Sequence, residues 1–349
     1  MRRLRCRDIR LVAGLCGLMV LAACGGMSAN PVPTGSPGSQ QAAAPCRVPF
    51  TDFKTTGFIS YPSGTFTADP SAATTPDPDR PAFAHTVALP VLTGVAGNGS
   101  ETYDWRFSRW LPVPYELVSP DGSQYAYSEV IPDPASQGIG SPPLGTRVHV
   151  VDVATGRDDV VYQSADLLSA VAFRPEGIYL FQPNGFADTF LPFYVWLFDP
   201  SAHSAHKLLG GKTVGPGTSA LAPGTFWIMV TDPNNPKGTP SLLRVDLIDG
   251  SQSTWFAPAS TFAGFLGLDG LGRPIVSTFS GANGDPGKTW IVTGASTTRQ
   301  IAETGFSAIA IADQHGLWLT GNGLFLYTPA GSLHKVSSVV GGWILGACG

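Results

Sequence analysis

The sequence predicts an all-β fold: a β-propeller of six four-stranded blades, with a seventh, composite blade as the alternative. Three observations lead there. Forty-two glycines and 31 prolines among 349 residues, with no long segment of helical period, call for many short strands joined by tight turns. A hairpin pattern recurs, and its turn glycines Gly64, Gly122, Gly177, Gly224, Gly272 and Gly316 stand 58, 55, 47, 48 and 44 residues apart. Two cysteines, Cys46 and Cys348, lie at the two ends of the repeated region, as the ends of a closed ring would.

The elements follow in chain order. Residues 1–10 carry Arg2, Arg3, Arg5, Arg7 and Arg10 against the single acid Asp8, and residues 11–23 are an apolar run ending in small side chains. This is the layout of a secretory signal, and the run falls short of the roughly 20 apolar residues of a membrane span. Leu21-Ala22-Ala23-Cys24 resembles the bacterial lipobox. The resemblance implies cleavage before Cys24, a diacylglycerol on its thiol, and anchoring to a bacterial membrane on its extracytoplasmic side. An ordinary signal cut after Ala23, with Cys24 a plain thiol, is the alternative. Arg2-Arg3 hints at twin-arginine export, which the flanking residues do not support. The expected organisation is a signal peptide over 1–23, the lipidated Cys24 with a linker over 24–45, and a propeller over 46–349.

Residues 25–45 contain no charge and are rich in Gly, Pro, Ser, Ala and Gln, a composition that buries too little apolar surface to fold. As a coil this tether reaches roughly 25 Å. With Cys6 and Cys16 in the signal and Cys24 lipidated, Cys46 and Cys348 remain, and an oxidising exterior favours pairing them. A bridge needs Cα atoms within about 7 Å, so it would bring the ends of the domain together.

Residues 59–66 read as a first hairpin, with 102–104 and 109–111 as its outer pair. Residues 118–127 read as strand, Pro-Asp-Gly turn and strand, since Pro fixes the first turn dihedral and Gly accepts a positive φ. A second hairpin over 148–162, turning at Ala154-Thr155-Gly156-Arg157, completes four strands. Residues 119–162 resemble the WD40-like repeat of the TolB type in both turns, Ser119-Pro120-Asp121-Gly122 and Val151-Asp152-Val153-Ala154-Thr155-Gly156. Weaker copies follow: 172–181 with 193–199, 222–230 with 242–250, 268–279 with 289–293, and 312–319 with 324–331. Residues 342–345 are left over and are expected to pair with the N-terminal strands as a clasp.

Charged residues make up 13% of the chain, the net charge is −4, and nothing basic accumulates outside the signal, so a nucleic-acid role is excluded. Loops between second and third strands share one ring face by their register, and their polar residues Asp133, Asn184, Asp232, Asn234, Asn235, Asn283 and Asp285 are the candidate ligand-face set. Solvated connections are the competing reading. Asp269, Asp313 and His315, at the ends of inner strands, are candidate channel residues. His203 and His206 have no third ligand nearby, and 232–235 lack the order of a calcium loop. No cofactor is expected, a calcium ion at such a loop being the one left open.

Gly211-Lys212-Thr213 and Gly287-Lys288-Thr289 tempt a phosphate-loop reading, but Ala282 and His206 stand where glycine is required. Asp158-Asp159 reads as a solvated pair. Tyr103, Trp105, Phe107 and Trp110, flanked by Arg106 and Arg109, form an aromatic group that fits either a sugar or peptide site or packing between blades. Two functions compete. The preferred one is a monomeric, lipid-anchored propeller that binds a protein, peptide or glycan without catalysis; the other is a propeller enzyme of the lactonase or lyase kind with a divalent metal in its channel.

Overall fold

The computed structural model describes residues 44–52, 54–72, 101–131, 133, 144–183, 192–213, 219–231, 240–258, 262–279, 287–306 and 310–349. The expected signal, Cys24 and the tether up to residue 43 lie outside them. Among the described residues no helix is long and apolar enough to cross a membrane.

The strands run β1 (Cys46–Thr51), β2 (Thr56–Tyr61), β3 (Phe66–Ala68), β4 (Thr102–Asp104), β5 (Arg109–Leu111), β6 (Gln124–Ile131), β7 (Gly145–Asp152) and β8 (Asp158–Ser164). They continue with β9 (Ser169–Arg174), β10 (Gly177–Pro183), β11 (Pro192–Asp199), β12 (Ser204–Thr213), β13 (Ser219–Ala222), β14 (Thr225–Thr231), β15 (Pro240–Asp246) and β16 (Gln252–Phe256). The last are β17 (Phe262–Leu268), β18 (Pro274–Phe279), β19 (Lys288–Gly294), β20 (Thr297–Ala302), β21 (Ile311–Asp313), β22 (Gly316–Gly321), β23 (Gly323–Tyr327), β24 (Leu333–Ser337) and β25 (Trp343–Ile344).

These strands form the predicted propeller. Blades 3 to 6 are the antiparallel sheets β9–β12, β13–β16, β17–β20 and β21–β24. Blade 2 is β6–β7–β8, with Val118 bridging Tyr125 as a one-residue inner strand. Blade 1 is composite, in the order β25-β1-β2-β3, with Ile344 opposite Phe50 and Trp343 opposite Thr51. The expected C-terminal clasp is therefore present, and the first strands β13, β17 and β21 lie side by side around the ring.

One expectation is corrected. Residues 59–66 do not form an inner hairpin with 102–104 and 109–111 outside it. β2 and β3 are the outer strands of blade 1, while β4 and β5, among the described residues, form a two-stranded sheet of their own. The reason is β1, hidden in the sequence because Pro49 argues against a strand although Cys46, Val48 and Phe50 alternate with Arg47, Pro49 and Thr51. It pairs along all six residues with β2, and β25 takes the place inside it.

The core consists of the seams between blades, because a strand sends alternate side chains to opposite faces. On β14, Phe226, Ile228 and Val230 pack against Tyr179 and Phe181 of blade 3, whereas Trp227 and Met229 pack against Phe265 and Val276 of blade 5. Ile275 and Ile291 meet Leu317 and Leu319 at the next seam, and Trp318 and Leu326 meet Val48 and Phe50 where blade 6 reaches blade 1. The β4–β5 hairpin fills the interval between blades 1 and 2: Leu111 packs with Tyr125 and Val151, and Tyr103 sets its ring against Phe58.

Candidate functional site

The turn carboxylates are the first place to look for chemistry, and their geometry is uniform. Asp121 accepts from the Ser119 hydroxyl at 2.7 Å and from the Ser123 backbone N–H at 3.1 Å. These bonds, Ser119 first, hold its pKa down to about 2. Asp152 with Thr155, Asp199 with Ser201 and Asp249 with Ser251 repeat the device in later turns. Asp residues in this arrangement close turns by satisfying backbone donors.

The three candidate channel residues separate. Asp269 accepts from the Leu271 and Arg273 backbone N–H groups, and its other oxygen lies 2.6 Å from the Arg273 guanidinium. Asp313 and His315 come together, and they do so at the clasp. The Asp313 carboxylate accepts from His315 N–H and Trp318 Nε1 at 2.7 Å each, and from Cys348 N–H at 2.9 Å. His315 Nδ1 lies 3.4 Å from Asp313 Oδ1 and 3.9 Å from Cys46 Sγ. Cys46 and Cys348 are joined in a disulfide with Cα atoms 5.6 Å apart. Of the candidate ligand-face residues, Asp133 is half-buried; Asn184, Asp232, Asn234, Asn235, Asn283 and Asp285 lie outside the described residues.

The densest polar constellation was not read from the sequence. On blade 2, β6 and β7 place Tyr127 opposite His149 and Glu129 opposite Arg147, so all four side chains share one face. The His149 ring is largely buried and bridges two carboxylates, with Nδ1 2.9 Å from Asp158 Oδ1 and Nε2 3.2 Å from Glu129 Oε2. Arg147 lies 3.1 Å from the same Glu129 oxygen. Tyr127 stacks on the His149 ring, with centroids 4.4 Å apart, and donates its hydroxyl to Asp158 Oδ2 at 2.5 Å. Burial first, then that bond to Asp158, pushes the Tyr127 pKa up, which keeps the phenol a donor.

Asp158 and Asp159 are both exposed, as expected of a solvated pair, but their side chains do not share partners. Neighbours on a strand point to opposite faces, and Asp159 turns away to Arg157 at 2.8 Å. The available signal was the histidine, set between Val148 and Val150 within β7. The Glu129–Arg147 pair sits at the end of the blade that leads into the loop of Asp133, and Leu144, 54% exposed, stands at the root of that loop.

The aromatic group has become a seam. Phe58 contacts Tyr103, Trp105 and Trp110, Arg47 lies 4.6 Å over the Phe58 ring, and the Trp105 indole donates to Ala347 O at 2.8 Å. Packing between blades accounts for these rings. Gly287-Lys288-Thr289 leads into β19, where Thr289 Oγ1 bonds Ser277 at 2.6 Å, so it is no phosphate loop.

No family model matches the chain, and no curated protein matches it. Solved structures do. TolB from Acinetobacter baumannii is 13% identical with a TM-score of 0.39, over 68% of this chain and 62% of that one. An oligogalacturonate lyase in complex with manganese is 12% identical, TM-score 0.45, over 63% of each chain. The β-propeller domain of the trilobed protease from Pyrococcus furiosus is 14% identical, TM-score 0.44, over 68% of this chain and 75% of that one. This chain thus spans less than two thirds of the TolB and lyase chains, and no activity passes from such distant likenesses.

Proposed function

We propose that the protein is a lipid-anchored, extracytoplasmic binding module that takes a protein, peptide or glycan on the ring face carrying the loops between second and third strands. The observation that supports this reading is the blade 2 network of Tyr127, Glu129, Arg147, His149 and Asp158, with the exposed Leu144 three residues before Arg147 in the chain. Its donors and acceptors are held by one another, so a polar partner meets groups already fixed in place. Preorganisation of that kind lowers the ordering cost of binding. An exposed apolar side chain together with charged, partly buried groups is the composition of a recognition patch. Cys24 supplies the anchor in this reading, and the tether sets the ring above the lipid.

Site-specific photo-crosslinking in intact cells tests it. A photoreactive residue at Leu144 should give a discrete adduct that disappears when Arg147→Ala is added. The same probe at Leu271, which is 77% exposed in the first turn of blade 5 on the opposite ring face, should not give that adduct. Loss of the adduct in a Cys24→Ala chain retained as uncleaved precursor would tie binding to anchoring. An adduct from Leu144 indifferent to Arg147 would move the site elsewhere. One stoichiometric divalent ion in the purified, oxidised protein would turn the assignment toward the lyase-type alternative.

A further inference from the structure

Cys46 Sγ, Cys348 Sγ and a ring nitrogen of His315 all lie within 4.8 Å of one another at the clasp. The three come from β1, from the C-terminal segment after β25 and from the turn before β22; Cys46 lies 269 residues from His315 and 302 from Cys348, and ring closure brings it to them. His315 is buried, 8% exposed, and its Nδ1 faces Cys46 Sγ at 3.9 Å. The Asp313 carboxylate stands 3.4 Å from the same nitrogen and also holds the Cys348 backbone N–H, so it fixes both partners.

We propose that this disulfide is a redox-gated metal site: once reduced, Cys46, Cys348 and His315 bind one thiophilic divalent cation of the zinc class, with Asp313 as a positioning residue behind them. Two thiolates and an imidazole, with a solvent molecule in the fourth position, are a donor set such an ion accepts in a tetrahedron. Metal–sulfur bonds of about 2.3 Å and metal–nitrogen bonds of about 2.0 Å put ligand atoms roughly 3.5 to 3.8 Å apart. That spacing is close to the one between Nδ1 and Sγ, so only the two sulfurs must separate.

The chemistry balances with a dithiol as reductant. Its thiolate attacks one sulfur of the half-buried bridge, the other cysteine leaves as thiolate, and the second thiol of the reductant resolves the mixed disulfide. The reductant ends as its own disulfide, and the protein has gained two electrons and two protons. Binding the cation then releases those two protons from the thiols. The metal replaces the covalent clasp with a coordinate one, so the ring stays closed in either redox state.

Cobalt(II) is the probe, added to the full-length protein in detergent before and after treatment with a dithiol. Thiolate-to-cobalt charge-transfer absorption and tetrahedral visible bands should rise to one equivalent only after reduction, and zinc(II) should displace them. His315→Gln should weaken zinc affinity about tenfold or more and alter the visible bands, with the sheet signal in circular dichroism retained. Native mass spectrometry of the reduced His315→Gln protein gives the stoichiometry independently of the spectrum. No stoichiometric cobalt after reduction, an unchanged spectrum in His315→Gln, or a loss of sheet on reduction that zinc does not reverse would each overturn the proposal. None of these outcomes bears on the Leu144 adduct.

Discussion

Glu101 enters the β4–β5 hairpin with its carboxyl more than half buried, and that burial pushes its pKa up to about 7. The next residue, Thr102, donates its hydroxyl to Leu345 O at 2.5 Å, so this carboxyl sits where the hairpin meets the clasp. The sign of the linkage follows from the raised value. Below about pH 4.5 the carboxyl is protonated in folded and unfolded chains alike, and its favourable contribution is complete. Between that pH and about 7 the unfolded chain releases the proton while the folded chain keeps it, so stability falls as pH rises through this window. Glu101→Gln should flatten the fall in the urea midpoint between pH 4.5 and 7, and a variant that tracks the parent across the window would rule Glu101 out as its source. Individual residues such as this were the least legible in the sequence. A glutamate's burial depends on which chain end folds over it, and His149 acquires its two carboxylates only after the register of β6, β7 and β8 is fixed.

At the scale of elements, the hairpins with glycine turns were readable because the turn residues carry their own conformational demands. Gly177 opens β10 at φ +140°, and a Cβ there would lie 2.3 Å from Phe198 O on the next strand. Gly316 holds the same place in blade 6, at φ +135° with 2.2 Å to Tyr327 O. Gly224 differs: its φ is +65°, and a Cβ would meet nothing within 4 Å. Gly177→Ala must therefore push two strands apart as well as strain its own backbone. It should cost more than about 2 kcal/mol in chemical denaturation, against about 1 kcal/mol for Gly224→Ala, whose cost is backbone strain alone. Equal costs would mean that the close approach to Phe198 is relieved without loss. Other elements left weaker traces. The outermost strands β8 and β20, with sequences DDVVYQS and TTRQIA, have their early residues exposed and do not alternate cleanly. The pairing of third with fourth strands also slips at Val148/His149, Leu242/Leu243, Thr289/Trp290 and Leu324/Phe325. Bulges of this kind add twist, which a blade needs from its inner to its outer edge, and no residue type marks them in advance.

For the whole molecule, cysteine placement and repeat spacing together disclosed a ring closed at its ends, while the composition of blade 1 stayed hidden because half of its inner pair comes from the other end of the chain. The closing seam is short. β25 pairs with β1 at two positions, supplemented by Arg47 N–H to Gly349 O at 2.9 Å and Leu345 N–H to Pro49 O at 2.8 Å. The disulfide spans 302 residues, and on the chain-entropy account a loop of that length contributes about 5 to 6 kcal/mol, an upper figure because strain and residual structure subtract from it. Two consequences can be separated by replacing both cysteines with serine. If the bridge acted only by restricting the unfolded chain, all amides that exchange by global unfolding would speed up together. If it also holds the seam, local opening precedes global unfolding. We expect the second pattern in Cys46→Ser/Cys348→Ser: a lower Tm, with the amides of β1 and β25 losing protection before those of β14 and β18, which are packed between neighbouring blades. Hydrogen exchange read by mass spectrometry gives the order directly. Uniform acceleration across the six blades would instead show that the backbone contacts at the seam hold blade 1 closed without their covalent link.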